Sequence, residues 1–456
     1  MGSLVGAAVG DALGAPFEFG PAGAFSRRFP SPALGSSTEM VGGGGFGWEP
    51  GEWTDDTQMA MCVAASLLDR GDLDLADVFA RFRAWYEAHP PDVGNTTAAV
   101  LGSSSPWQDA AAEHFRRTRH GAGNGGLMRT TPAAIRFAAA GRAATMDAGR
   151  QLTLLTHGDP AAGEGSAIHH ELIRVALNGD DPLAAVEETL GLVAPEHRAI
   201  WDEVLAPYWT PSDARVPNGV AWPTLGTALW ALRTTTTFVD ALRAAVDAGG
   251  DTDTVACVTG ALAGARYGIQ AIPSRWTTYL NGHIPGIPPL GTTLADLQRV
   301  ALALLGEPAA PLPGDSCGAG VLGPTEVLPG FWVGNVDALA TAPEDHAVLS
   351  LCRTPEPSRH PHRRSIYLID KPGSNPGLDT VLADVLDEIT AFRAEGRDVF
   401  VHCFGGASRT GLVLRGWLRR SEGLSAAEAT RRAQQLWPSI GLWQPEFDAA
   451  LERLSV

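Results

Sequence analysis

Through most of the first three hundred positions, apolar residues recur every three or four places, the spacing that lines one face of an α-helix. The stretch TQMAMCVAASLLDRG (57–71) shows this spacing and stops at Gly71. DLADVFARFRAWYEAH (74–89), AIHHELIRVALNG (167–179) and TFVDALRAAVDAGG (237–250) behave the same way. Period-two alternation, the mark of a half-buried strand, is nearly missing, so an all-α domain is expected over residues 1–305. GEPAAPLPGDSCGAGVLGP, from Gly306 to Pro324, is rich in Gly, Pro and Ala and has no period. It predicts a linker over 306–323. Beyond it come short β-leaning runs, GFWVGNV (330–336), HAVLSLC (346–352), SIYLID (365–370) and DVFVHC (398–403). Between and after them lie helical patterns, LDTVLADVLDEITAFRAEG (378–396) and SAAEATRRAQQLW (425–437). Strands alternating with helices predict a second, α/β domain over 324–456 with a mostly parallel sheet.

A chain of 456 residues exceeds a single ordinary core, which agrees with two domains. Its net charge of −17 argues against a general nucleic-acid surface or an anionic-membrane binder. The N-terminal run MGSLVGAAVGDALG lacks a basic flank and is interrupted by Asp11, which argues against a secretory signal or a membrane span. Cys62, Cys257, Cys317, Cys352 and Cys403 are odd in number and form no CxxC pair. Neither a disulfide framework nor a zinc site is expected, and a reducing, cytoplasmic setting fits best.

Two polar runs stand out against this background. GEWTDDTQMA carries Thr54, Asp55, Asp56 and Thr57, and GGDTDTVACV carries Asp251, Thr252, Asp253 and Thr254. Each directly precedes an apolar helix, so capping is the plain reading. A cap uses one side-chain oxygen, however, and adjacent carboxylates repel unless a cation joins them. Brought together, the two runs form an all-oxygen set suited to Mg²⁺ or Mn²⁺. GSLVGAAVGDALGAPFEF adds Asp11 and Glu18, though a Gly/Ala-rich packed helix also accounts for Asp11. GAGNGGLMRTTP (121–132) is a glycine turn feeding a helix, a shape that can receive a pyrophosphate on backbone N–H groups. His157, in LTHGDPAA, is either a ligand contact or a structural histidine.

The second domain holds DVFVHCFGGASRTGLVLRGWL (398–418). A loop closing onto a helix N-terminus turns backbone N–H groups inward, and the helix dipole adds positive potential, so a phosphate dianion is held there. The same field favours the Cys403 thiolate as a nucleophile, and Arg409 offers a planar fork to two phosphoryl oxygens. Gly405, Gly406 and Ala407 let the backbone curl around the anion. Asp370, at the end of a predicted strand, is the candidate general acid, with Asp379 as the alternative. The nearby RTPEPSRHPHRR (353–364) is either a recognition surface for a highly charged phosphate or a solvated loop.

These motifs resemble two families. GDALG…FE, GEWTDDTQ, GNGGLMR, THGDP and GGDTDT occur in this order in the ADP-ribosylglycohydrolases, and the resemblance spans Met1 to about Leu305. It implies an all-α fold with two Mg²⁺ (or Mn²⁺), held by Thr54, Asp55, Asp56, Asp251, Asp253 and Thr254. Glu18 matches a mobile glutamate near the metals, Asp55 and Asp56 are counted as catalytic, and Asn124, Gly125, Gly126 and His157 fall where ADP-ribose is contacted. HCFGGASRTG resembles the His-Cys-x5-Arg-Ser/Thr signature of the cysteine-dependent phosphatases, of the dual-specificity type. FWVGNVDAL resembles that family's opening strand and WPSIGLWQPEFDAALERL its closing helix. This implies a cysteine-phosphatase fold without a cofactor. Cys403 would be the nucleophile and Arg409 the phosphate ligand, with Thr410 aiding breakdown of the intermediate. Asp370 would be acid and then base, and Phe404, Gly405, Gly406, Ala407 and Ser408 the phosphate cradle.

The expectation is therefore a bifunctional hydrolase. One half removes ADP-ribose from a modified protein, nucleic acid or small molecule, and the other cleaves phosphate monoesters. Two alternatives stand: one half is a non-catalytic reader of ADP-ribose or phosphate, or both act in sequence on a phosphorylated ADP-ribose species.

Overall fold

The computed structural model describes residues 1–287, 293–307, 320–354 and 358–455. Most of the expected linker, residues 308–319 with Cys317, lies outside the described residues, as do residues 355–357 of the basic stretch. The chain forms two compact units. The first comprises Met1–Ser31, Met40–Ile272 and Tyr279–Ala309, and the second Pro32–Glu39, Pro273–Thr278 and Ala310–Val456.

The described residues of the first unit form helices and a few isolated bridges, and no strand. The helices begin and end where local chemistry requires. Thr54 caps Asp55–Arg70 by accepting from the Asp56 N–H, and Gly71 ends it at φ 78°. Asp74 caps Leu75–Glu87, and Thr237 caps Phe238–Asp247. Gly2–Gly14 and Thr252–Tyr267 form the closest pair. Glycines four apart on the first helix face small residues on the second: a Cβ on Gly6 would lie 2.2 Å from the Gly260 carbonyl oxygen, and one on Gly10 2.0 Å from that of Ala256. No side chain fits between these backbones, which is why the sequence keeps glycine there. The contact sets the C-terminal end of the first helix, with Asp11 and the following Glu18, beside the start of the second, with Asp251 and Asp253. The Gly/Ala-rich packed helix is thus real, and it is also what positions the carboxylates.

The second unit has a five-stranded sheet: β1 (Thr325–Leu328), β2 (Phe331–Asn335), β3 (Ala347–Ser350), β4 (Arg363–Ser365) and β5 (Val399–Cys403), in the order β1-β2-β5-β3-β4. Only β1 runs antiparallel to its neighbour. Val399, Val401 and Cys403 face the main core with Leu382, Leu386, Leu412 and Leu414, while Phe400 packs on the other face with Val348, Ala338 and Ala342. A strand buried on both faces reads as a continuous apolar run, as DVFVHC does. Two expectations shift here. The strand expected at SIYLID is instead Arg363–Ser365, followed by the Ile366 N–H donating to Ser350 O at 2.9 Å. Asp370 therefore lies five residues beyond the end of the strand. The closing helix is Pro445–Arg453 alone, since Pro445 can only open a helix. β1 was not foreseen.

The stretches 32–39 and 273–278 are built into this second unit by buried polar contacts. Arg364 and Glu388, both fully buried, pair at 3.0 Å. The Gly35 N–H donates to Glu388 at 3.0 Å, while Arg364 donates to the carbonyls of Gly35 at 2.6 Å and Ser37 at 3.0 Å. Arg275 pairs with Glu39 at 3.1 Å, and the Ser274 hydroxyl donates to Asp384 at 2.6 Å.

Candidate functional sites

In the first unit the two acidic runs meet. Carboxylate oxygens of Glu18, Asp251 and Asp253 lie within 4.8 Å of one another. Asp56 joins them through the Thr254 hydroxyl, which donates to Asp56 Oδ1 at 3.3 Å. Asp55, Asp56 and Asp253 are 7%, 1% and 2% exposed. Burial, reinforced by the neighbouring carboxylates, pushes Glu18 up to about 8 and holds Asp55, Asp56 and Asp253 well above the ordinary carboxylate range. Asp56 Oδ2 and Glu18 Oε2 are buried and have no hydrogen-bond partner. Buried carboxylate oxygens crowded together without donors are a binding set for cations. The residues fit an oxygen-bound divalent metal: Glu18, Asp251 and Asp253 could hold one, with Asp55, Asp56, Thr54 and Thr254 completing the ring.

Asp11 shapes this ring from behind. Its carboxylate accepts from the Thr54 N–H at 2.9 Å and from the Thr57 N–H at 3.0 Å and hydroxyl at 2.6 Å. It thus satisfies the first turn of Asp55–Arg70 and aims Asp55 and Asp56. Burial pushes Asp11 up to about 6. Asn124 orients Asp251: its amide donates to Asp251 Oδ2 at 3.0 Å and to Thr224 Oγ1 at 3.1 Å. That side chain is a brace for an acidic residue, whereas the family resemblance implies a contact with ADP-ribose. His157 is buried, neutral and pushed down to about 3 by burial, with Nδ1 2.8 Å from Thr156 Oγ1. Its ring lies beneath the glycine turn, where a Cβ on Gly125 would meet it at 2.7 Å. A Cβ on Gly126 would meet Thr153 at 2.4 Å. The helix that the turn feeds is short, Gly125–Arg129.

Sequence reasoning missed Asp92. Burial raises it to about 6, and its charge in turn raises Glu18 and Asp55. It stands alone after two prolines, with no neighbouring acidic residue to mark it. A weak signal exists in the backbone: the three non-glycine residues at positive φ among those described are Phe19, His89 and Arg119. Each lies within three residues of Glu18, Asp92 or the glycine turn, and strained backbone gathers at working sites.

In the second unit, β5 ends at Cys403 and a tight loop leads into the helix Ser408–Glu422, which has no side-chain cap. The loop is pinned from both sides. Trp437 Nε1 donates to Gly406 O at 2.8 Å, and the Val336 N–H donates to Phe404 O at 3.3 Å. Gly406 sits at φ 70°, and a Cβ there would lie 3.0 Å from the Gly334 backbone. Ser408 Oγ, Arg409 Nε and Thr410 Oγ1 are buried with no hydrogen-bond partner. Arg409 Nη1 meanwhile donates to the carbonyls of Leu351 at 2.9 Å and Leu368 at 3.2 Å. Unpaired donors at an open helix N-terminus fit an oxyanion. His402 is pushed down to about 3 by burial, and its Nε2 is 2.8 Å from Ser350 Oγ. Asp370 is exposed, and its Oδ1 accepts from Gln444 Nε2 at 2.8 Å. The alternative acid, Asp379, is engaged with Arg453 at 2.8 Å.

A helical unit with buried, crowded carboxylates that could hold divalent cations is the class of protein that this fold and site define. The sequence model of the ADP-ribosylglycohydrolase family matches residues 1–310. Among relatives, the ADP-ribosyl-dinitrogen-reductase glycohydrolase of Rhodospirillum rubrum is 33% identical over 287 residues, covering 62% of this chain and 90% of that one. The ADP-ribosylarginine hydrolase Tri1 of Serratia proteamaculans is 30% identical over 295 residues, covering 60% and 73%. A solved structure, an ADP-ribosylglycohydrolase-related protein complex, is 33% identical with a TM-score of 0.52, covering 67% and 96%. The chain belongs to the ADP-ribosylglycohydrolase family and, at that level, is a hydrolase of ADP-ribosyl linkages. Among the described residues no helix is long and apolar enough to cross a membrane.

Proposed function

We propose that the first unit cleaves the glycosidic bond between ADP-ribose and an arginine side chain of a modified protein, using two Mg²⁺ or Mn²⁺ ions. The observation that carries this reading is the meeting of Glu18, Asp251 and Asp253 oxygens within 4.8 Å, from segments more than two hundred residues apart. Arginine is the acceptor named for the Serratia relative. Bound divalent cations would supply charge neutralisation and a water of lowered pKa. The chain's own residues do the rest. Asp11 and Asn124 fix the carboxylates, and His157 fixes the glycine turn that takes the pyrophosphate on its N–H groups. The carboxylates accommodate positive charge developing at the anomeric carbon. Asp92 adds a carboxylate whose field reaches Glu18 and Asp55, which suits a cationic acceptor. The test is release of ADP-ribose from an ADP-ribosylarginine peptide with and without EDTA. Turnover that survives EDTA would reject the metal assignment, and turnover only on serine- or base-linked ADP-ribose would reject the acceptor.

A second activity is favoured by the unpaired Ser408 Oγ, Arg409 Nε and Thr410 Oγ1 around the Cys403 loop. In this reading the second unit is a cysteine-dependent phosphatase. The Cys403 thiolate attacks phosphorus, and Asp370 gives its proton to the leaving oxygen. Arg409 leaves its carbonyl partners to grip the phosphoryl group, and water, deprotonated by Asp370, then releases phosphate. Cys403→Ser is expected to abolish hydrolysis of p-nitrophenyl phosphate. A variant as active as the wild type would remove the proposal and favour a phosphate reader.

A further inference from the structure

The loop that carries Asp370 is held by Trp443 and Gln444, which lead into the final helix, and by Glu446 in its first turn. Asn375 closes it on itself: its Oδ1 accepts from the Ile369 N–H at 2.9 Å, and its Nδ2 donates to Ile369 O at 2.8 Å. Glu446 clamps the tip, accepting from the Gly373 N–H at 2.7 Å and from Asn375 Nδ2 at 2.6 Å. Trp443 Nε1 at 3.3 Å and Gln444 Nε2 at 2.8 Å both donate to one carboxylate oxygen, Asp370 Oδ1. Gln444 is 2% exposed, so it is a fixed point and not a surface residue that happens to reach the loop. Upstream, the loop is tied to the phosphate-binding arginine, since Arg409 donates to Leu368 O only two residues before Asp370.

We propose that Trp443-Gln444-Pro445-Glu446 is a latch that holds the general acid in its working position without substrate, with Gln444 and Glu446 as positioning residues. This rests on the phosphatase reading of the second unit. Two N–H donors on Oδ1 leave Oδ2 to carry the proton. In the first step the S–P bond from Cys403 forms, the bond from phosphorus to the leaving oxygen breaks, and the Oδ2 proton moves to that oxygen. The loop contains Pro372, Gly373 and Pro376, and Gly373 sits at φ 72°. Such a sequence has no helix or strand to keep its shape, and the carboxylate is exposed. The latch supplies the order that the loop lacks, and a proton donor must stand within about 3 Å of its target to act.

The full chain is assayed on phenyl phosphate, whose leaving group needs the proton, and on p-nitrophenyl phosphate, whose leaving group needs it far less. For Gln444→Leu, kcat on phenyl phosphate is expected to fall about tenfold or more and kcat on p-nitrophenyl phosphate less than about threefold, part of the 10²–10⁴-fold that a general acid supplies. Inhibition by inorganic phosphate should not change. Glu446→Gln should show the same signature in weaker form. In an Asp370→Asn background, Gln444→Leu should cost nothing further, because both changes act on one proton. Equal losses on both substrates, or a further loss in that background, would overturn the latch and leave Gln444 as packing. Wild-type protein without Cys403-dependent turnover would remove the phosphatase reading itself, an outcome distinct from both.

Discussion

The two units solve opposite electrostatic problems with buried polar atoms. In the first, Glu18, Asp55, Asp56, Asp251 and Asp253 gather carboxyl groups where water is scarce, and the site leaves two carboxylate oxygens unpaired, Glu18 Oε2 and Asp56 Oδ2. In the second, a strand, a loop and an uncapped helix gather donors, and the site leaves two hydroxyls and a guanidinium nitrogen unpaired, those of Ser408, Thr410 and Arg409. The unpaired atoms suit ligands of opposite charge, a cation beside the carboxylates and, in the proposed phosphatase, an oxyanion beside the donors. Unpaired buried groups cost stability, and a bound ligand at either site would offset that cost.

The comparison breaks most sharply if either site serves both activities. Asp253→Ala is expected to reduce ADP-ribose release to background while leaving p-nitrophenyl phosphate hydrolysis unchanged, and Cys403→Ser to do the reverse. Paired assays on the two variants check this. Asp11→Asn removes a brace and no ligand, so it should weaken Mn²⁺ affinity about 10–100-fold, as loss of a residue supporting metal ligands does. Calorimetric titration reads it. In the second unit, Glu388→Ala leaves Arg364 buried without its partner and should destabilise that unit by about 3–5 kcal/mol, seen in its thermal transition. Ligands should separate the units in the same experiment. At about 100 times its Kd, a cation should stabilise the first unit by about 2.7 kcal/mol, and tungstate the second by a similar amount, each leaving the other transition in place.

Proton linkage gives the smallest difference. His157, His169 and His170 in the first unit are held neutral, at about 3, 3 and 4, because burial penalises the imidazolium. Unfolding exposes them, and the unfolded rings take up protons below about pH 6.5. Their contribution is complete above that pH and is lost as pH falls toward 4, at up to about 1.4 kcal/mol per histidine per pH unit. The second unit has His402 in this state, at about 3. With cation saturating, the first transition should therefore fall more steeply on acidification, and replacing His170 with Gln should reduce that slope.

What the sequence made legible was whatever is concentrated locally. Thr54-Asp55-Asp56, Asp251-Thr252-Asp253 and the Cys403-to-Arg409 loop are each a few residues long, and short-range physics gives each a meaning. Asp92 escaped because its partners are distant in sequence, so its role exists only once the fold has formed. Asp11 was seen, but a helix residue that braces another helix's first turn looks like any buried polar group until the two are placed. The family resemblance implies that Asn124 contacts ADP-ribose, and its bond to Asp251 is a feature that only the fold reveals. In the second unit the helices and central strands followed the periodicity. β4 and the last helix shifted because pairing beyond Ser365, and the break at Pro445, depend on neighbours and not on apolar pattern. Nothing in the stretches 32–39 and 273–278 marked them as part of the second unit, since a few backbone groups and single polar side chains hold them there.

The proposed reaction of the first unit needs cations among its buried carboxylates. The most direct measurement is ADP-ribose release by the full chain after exhaustive EDTA treatment, before and after adding back Mg²⁺ or Mn²⁺. The stripped protein should be inactive and the restored protein should regain its rate. A stripped protein that cleaves at the restored rate would contradict the account.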